Sequence, residues 1–356
     1  MTNNTTTAGT ESQEQDKLTQ YFAAKNPGCE VWLTDFKRSA SGFSNETRFF
    51  ILNIRKDGRT GSRALAARWA PMGENRQFDA YDIAYQYHAM KALAKVGIPV
   101  PETVLLETDA SVVGTTFFVM AKVEGEVISD YPPGAHGAGY LFEATEAMRR
   151  QIWWRSLEVM AKVNCVDWRK PEFGFMDIPK DGADSVRKRL AFMRKQAKIA
   201  SDKPVELFER AFRWLDSHIP AAPKLALCWS DGRPGNIVWQ NYEPAAACDW
   251  ETAYIGPPEN DLVWFLLVDE IAYKSHGQKR LAGLPSEAET IARYEQLIGR
   301  KMESLDYYFV MQATLLAILM ALSVKAAIAK GIQMPADYAT NNVATQRLQE
   351  LLEQVA

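Results

Sequence analysis

Apolar and polar residues alternate over positions 31–37, 47–54 and 62–69, the period-two pattern of strands with one buried face. Asp57-Gly58 separates the second run from the third. Both central positions of a two-residue hairpin turn need positive φ, so this pair predicts a hairpin. Apolar residues then recur at Ile83, Tyr87, Met90 and Ala94, a helical spacing that Gly97 and Pro99 bring to a stop. Positions 104–107 and 115–123 predict two further strands around a turn at 109–114. Ahead of these, the polar and acidic residues 1–14 predict a disordered tail, followed by a short helix over 17–24 that Asn26-Pro27-Gly28 ends.

From Glu143 onward the spacing becomes helical, as at Met148, Ile152, Val159 and Val163, and again over 305–330 and 345–355. One ribbon interrupts the helices: Ile237-Val238-Trp239, a turn at 240–244 and a return strand over 245–248. The run 309–324 is apolar, but Gln312 and Thr314 break it and Lys325 closes it below the roughly 20 residues a bilayer requires. It is read as a buried core helix, and no membrane partner is expected. No internal repeat is present.

Composition narrows the class. The 356 residues allow two lobes at about 150 residues each, and 47% hydrophobic with 24% charged residues is ordinary globular usage. The 41 Lys and Arg against 44 Asp and Glu leave a formal net charge of −3, too balanced to make nucleic acid the expected partner. Cys29, Cys165, Cys228 and Cys248 form no CxxC pair, which predicts reduced, mostly buried thiols. Nothing near the N-terminus resembles a secretory signal, so a cytoplasmic location is expected. No sequence feature sets an oligomeric state.

The chemistry gathers around the ribbon. Residues 228–236 read CWSDGRPGN, and 249–251 read DWE. If the hairpin closes, Asn236 before its first strand and Asp249 after its second lie at the same end, and two oxygen donors converge. That set suits Mg²⁺, which keeps part of its octahedron for water and phosphate. Asp231, on the loop leading in, can accept the proton of an attacking hydroxyl. Taken singly, each of the three residues is as well explained by turn and cap chemistry; the ordered set favours function.

This arrangement resembles the aminoglycoside phosphotransferase and choline kinase-like family, relatives of the protein kinases, whose catalytic segment has the form HGDxxxxN, a short hairpin, then D[WF]E. Further segments resemble the same family: GFSNETRF at 42–49 its phosphate loop, GIPVPETV at 97–104, FFVMAKVEG at 117–125 its hinge, and IGPPENDL at 255–262. The resemblance runs from about Leu18 to Leu267. It implies an α+β, protein kinase-like fold in two lobes: five antiparallel strands and a helix over 15–122, then a mainly helical lobe over 123–356 carrying the catalytic loop and substrate site. It implies an enzyme that uses ATP and Mg²⁺ to phosphorylate the hydroxyl of a small-molecule acceptor, with the nucleotide between the lobes. Asp231 would be the catalytic carboxylate, and Asn236 and Asp249 the metal ligands. Gly42, Ser44, Asn45 and Thr47 would cover the phosphates, Arg68 would contact them, and backbone groups of Ala121 and Val123 would hold the adenine.

Three departures stand out. Arg68 and Gln86 occupy positions where the family carries a phosphate-binding Lys or Arg and its partner Glu, and Trp229-Ser230 replaces His-Gly. Arg68 is a mild change; Gln86 can only accept a hydrogen bond where Glu would neutralise charge. A nucleotide-binding pseudokinase with a regulatory role is therefore the alternative, and a helical binding protein without nucleotide a third. Asp261 is read as a helix cap, the four histidines as surface or satisfied residues, and Trp264 among the core aromatics, a few of which line an acceptor pocket. The acceptor itself is open: Asp130, Asp269 and Glu270 would meet a cationic amine, whereas the aromatics suit an apolar alcohol. ATP versus GTP is likewise open, and resistance to antibiotics does not follow from a family name.

Overall fold

The alternating runs form the expected strands. A computed structural model describes residues 4–39, 46–70, 82–335 and 337–356, with side chains from residue 11 onward. The chain divides into two units, Met1–Lys95 with Val100–Glu124, and Val96–Pro99 with Gly125–Ala356.

The first unit contains α1 (Asn4–Lys25), β1 (Glu30–Arg38), β2 (Glu46–Lys56), β3 (Arg59–Trp69), α2 (Ile83–Lys95), β4 (Thr103–Glu107) and β5 (Phe117–Ala121). The strands form one antiparallel sheet in the order β1-β2-β3-β5-β4. Asp57 and Gly58 adopt φ of 50° and 75°, and Lys56 pairs with Arg59 across them, the hairpin their dipeptide requires. One sheet face buries Leu33, Phe50, Leu65, Trp69, Phe117 and Val119, and Leu18 and Phe22 of α1 pack onto it.

The expected tail over 1–14 is helical from Asn4, a correction with an electrostatic cause. Glu14, only 6% exposed, receives Arg48 Nε at 2.7 Å and also pairs with Arg38, while the Arg48 guanidinium lies 4.5 Å from the Trp69 ring. Burial alone would raise the Glu14 carboxyl; hydrogen bonds and charge from Arg48 and Arg38 outweigh it and hold the group below its ordinary value. Composition reads the segment as too polar to fold, because the partners that neutralise it lie on strands far along the chain.

The second unit contains β6 (Glu126–Val127), α3 (Gly139–Glu143), α4 (Glu146–Asn164), α5 (Gly182–Ala200), α6 (Glu206–Ser217), β7 (Ala226–Cys228), β8 (Ile237–Gln240), β9 (Glu243–Ala247), β10 (Tyr254–Gly256), α7 (Glu259–Ser275), α8 (Glu287–Ile298), α9 (Leu305–Ala329) and α10 (Val343–Gln354). The ribbon forms with β6 added at its edge, in the order β6-β8-β9. Its turn is tighter than expected: Asn241 and Tyr242, at φ of 50° and 64°, are its two central residues, and Pro244 already pairs with Trp239. Helix α9 is long and apolar enough to cross a membrane by length and composition, but Tyr307 through Leu315, along with Ala317, Ile318, Ala321 and Leu322, are buried within the unit. None of the four cysteines, all among the described residues, is in a disulfide, yet only Cys228 is buried, Cys29 and Cys248 are half-buried and Cys165 is exposed.

Candidate active site

Strand β7 is fully buried and delivers the chain to Trp229 at a fixed point. There the backbone N–H groups of Trp229 and Ser230 donate to the two carboxylate oxygens of Asp261, each at 2.8 Å, and Asn164 Nδ2 donates to Oδ2 at 2.8 Å. Asp261 is completely buried in the first turn of α7. It is not the helix cap expected of it: its carboxylate anchors the loop that leads to Asp231. Burial raises this carboxyl above its ordinary value against the pull of Asn164 and the two backbone donors.

Ser230 stands at φ 73°, a left-handed conformation that glycine adopts freely and that costs another residue about 1 to 2 kcal/mol. Its Oγ accepts from Arg189 Nη2 at 3.0 Å, which helps hold it there. Trp229 is buried and stacks on Trp250 with ring centroids 4.7 Å apart, and its Nε1 donates to the Cys248 carbonyl at 2.9 Å. The indole thus ties the loop to the residue that follows β9.

Asp231 follows directly. Its Oδ1 accepts from Trp264 Nε1 at 2.7 Å and from Arg233 Nε at 3.0 Å, and its Oδ2 accepts from Asn236 Nδ2 at 2.6 Å. A carboxylate offers about four lone-pair sites, so Oδ2 keeps one free. A quarter of the side chain meets solvent. Loss of hydration raises its pKa, Arg233 opposes this, and Asp249 adds to it. Arg233 also reaches Asp130, at 2.8 Å from Nη1 to Oδ1, so one guanidinium joins two carboxylates.

The ribbon closes as its pattern requires. Ile237 pairs with Ala247, and the Cys248 N–H donates to the Asn236 carbonyl at 2.8 Å, which brings Asn236 beside the residue preceding Asp249. Asp249 itself turns at φ 64° and lies close enough for its charge to bear on both Asp231 and Arg233. Asp231, Asn236 and Asp249 are therefore together. The Asn236 amide nitrogen is committed to Asp231, leaving its oxygen to meet a cation. No cluster of three or more His, Cys, Asp or Glu suited to a metal exists among the described residues. One amide oxygen and one carboxylate fit Mg²⁺ only as a partial shell that phosphate and water complete.

In the first unit, Thr47 and Arg68 are direct partners across β2 and β3. The Ala121 N–H donates to the Glu102 carbonyl at 2.8 Å and the Lys122 N–H to Ala64 at 3.1 Å, so Ala121 has no donor left for a base, and Val123 is the first residue clear of the sheet ladder. Gly42, Ser44 and Asn45 lie outside the described residues. Gln86 is 1% exposed and among the described residues neither amide atom makes a hydrogen bond, so the bond to Arg68 that its oxygen allowed is not formed.

Beside Asp231, the second unit opens a cavity of about 380 Å³ walled by α7 and α9. Asp130, Asp231, Arg233 and Trp264 supply its hydrogen-bonded polar patch. Asp269 is held by Arg280 at 2.7 Å and by the buried His136 at 3.0 Å, and Glu270 by Lys274 and Arg347. Sequence reasoning passed over Arg233 and placed Trp264 in the core. Arg233 had a signal, a cation two residues after the candidate carboxylate Asp231; Trp264 had only its position three residues after Asp261.

The family described as the Phosphotransferase enzyme family matches residues 35–299. The chain is 28% identical over 212 residues to mouse acyl-CoA dehydrogenase family member 10, covering 59% of this chain and 19% of that protein. It spans between 19% and 31% of the length of the curated relatives it matches. A solved protein from Ralstonia eutropha, provisionally described as an aminoglycoside phosphotransferase, superposes with a TM-score of 0.68 at 22% identity, covering 95% of each chain. A thermostable mutant of aminoglycoside phosphotransferase APH(4)-Ia, in ternary complex with ADP and hygromycin B, superposes with a TM-score of 0.60 at 13% identity, covering 96% of this chain and 99% of that one. The α+β, protein kinase-like fold is shared with both.

Proposed function

Because the chain belongs to the phosphotransferase enzyme family over residues 35–299, we propose that it transfers the γ-phosphoryl group of ATP to the hydroxyl of a small-molecule acceptor, assisted by Mg²⁺. The observation that carries this reading is the orientation of Asp231: three donors fix its carboxylate and leave one lone pair on Oδ2. The acceptor oxygen forms a bond to the γ-phosphorus, and the bond from that phosphorus to the β–γ bridging oxygen breaks with its electron pair leaving on ADP. The acceptor proton passes to Asp231 Oδ2. Asn236 and Asp249 are the proposed metal ligands, and a metal bound there would neutralise phosphate charge. Thr47, Arg68, Val123 and the segment 42–45 are the proposed nucleotide contacts, and a neighbour of this fold holding ADP supports a nucleotide.

Asp231→Asn tests the assignment. Acceptor-dependent ADP release should fall by about 10² to 10⁴-fold while ATP binding, followed by calorimetry, persists. Full turnover in that variant would remove Asp231 from the chemistry. A second reading, a pseudokinase, is favoured by one observation: Gln86 stands where the family carries Glu and bonds to nothing. It predicts ATP binding with no acceptor-dependent turnover.

A further inference from the structure

We propose that the acceptor is an uncharged alcohol whose bulk is hydrocarbon, bound in the cavity that Asp231 shares with α7 and α9; this rests on the phosphotransferase reading above. Helix α9 shows why. Tyr307 through Leu315 are buried without a break, so the first half of α9 runs through the core with every side covered. Past that stretch, Leu316, Leu319 and Met320, spaced i, i+3, i+4, are only half-buried and line the cavity. Val268, Ile271 and Ala272 of α7 repeat the same spacing on a second wall. Two helix stripes, apolar until Ser275 and Ser323 end them, thus line one opening, and hydrocarbon is the chemistry that gains by covering their half-buried members.

Charge points the same way. Among the described residues, the carboxylates lining the cavity are Asp130 and Asp231, and Arg233 binds both. Asp269 and Glu270, further along α7, are paired with Arg280, His136, Lys274 and Arg347. A polycationic acceptor would find each carboxylate already neutralised and would have to displace a guanidinium that is itself half-buried and doubly bonded. An alcohol needs only the free lone pair of Asp231. The volume, about 380 Å³, lies at the small end of ligand cavities, which run from about 300 to 1,000 Å³.

The test is a homologous series. Full-length protein with MgATP is given linear primary alcohols from 1-butanol to 1-decanol, with hygromycin B as the polycationic comparison. Acceptor-dependent ADP release gives KM, and ligand-observed NMR gives Kd without nucleotide. Each methylene buried should tighten binding about fourfold until the cavity is filled, whereas hygromycin B should not bind. Leu319→Gln should raise KM for the longer alcohols about tenfold with kcat little changed, and the volume-conserving Leu319→Met should restore it. A flat series, or preference for hygromycin B, overturns the proposal and leaves the phosphotransferase reading standing. Alcohols that bind with the fourfold increment but release no ADP overturn that reading and leave the cavity's ligand class supported.

Discussion

The Trp264 indole N–H donates to Asp231 Oδ1 at 2.7 Å, so a residue lining the cavity also helps orient the carboxylate proposed as the base. A hydrogen bond to a charged group is worth about 1.5 to 3 kcal/mol. Trp264→Phe keeps an aromatic ring and removes the donor, so kcat should fall by at least about tenfold with the fold intact. The measurement is steady-state kinetics beside far-UV circular dichroism; unchanged kcat would mean that the bond does not orient the reacting oxygen.

The pH dependence has a definite sign. Burial, with Asp249 adding and Arg233 opposing, raises Asp231 above its ordinary value of 3.8. A base must be ionised, so kcat/KM should fall on the acid side with an apparent pKa above 3.8. Arg233→Met removes the opposing charge and should move that limb to still higher pH. Limbs that coincide in the two proteins would contradict this account.

Glu14 titrates in the opposite sense. Its folded pKa lies below the ordinary 4.5, so its contribution to stability is fully present above that value and is lost as pH falls below it. Breaking a buried ion pair costs about 3 to 5 kcal/mol, and Arg48 retains Glu46 at 2.6 Å, so Glu14→Ala should cost near the lower limit. Denaturant midpoints at neutral and acid pH give the comparison: the gap between wild type and variant should narrow in acid.

Ser230 separates strain from bonding. Ser230→Ala keeps the left-handed backbone and loses the Arg189 bond, so it should be about 1 kcal/mol less stable. Ser230→Gly loses the same bond but relieves about 1 kcal/mol of backbone cost, leaving it close to wild type. Thermal melts should rank glycine above alanine; the reverse order would mean that the backbone at this position is not strained.

Local signals carried much of this molecule. Alternation gave the five strands, Asp57-Gly58 gave its turn, and the spacing of Asn236 and Asp249 about a ribbon brought those residues together because a hairpin's geometry is local. Long-range pairing was not legible. Nothing within residues 1–14 says that Glu14 meets Arg48, and nothing near Asp261 says that its carboxylate holds Trp229 and Ser230. Trp264 was hidden for a related reason: an aromatic on an apolar helix reads as core, and only the fold shows that its N–H faces a carboxylate. The apolar face of α9 had the same ambiguity, since periodicity cannot separate a helix buried on all sides from one whose second side borders a cavity.

The double duty of α7 constrains how such a protein can change its diet. Asp261 and Trp264 hook residues 229–231, with the Asp231 carboxylate, to the same helix whose Val268 and Ile271 border the cavity. A replacement that shifts α7 to admit a different molecule would also turn the Asp231 carboxylate, the proposed base. Leu316, Leu319 and Met320 on α9 carry no such tether among the described residues, so new preferences are expected to arise there first, with reactivity preserved.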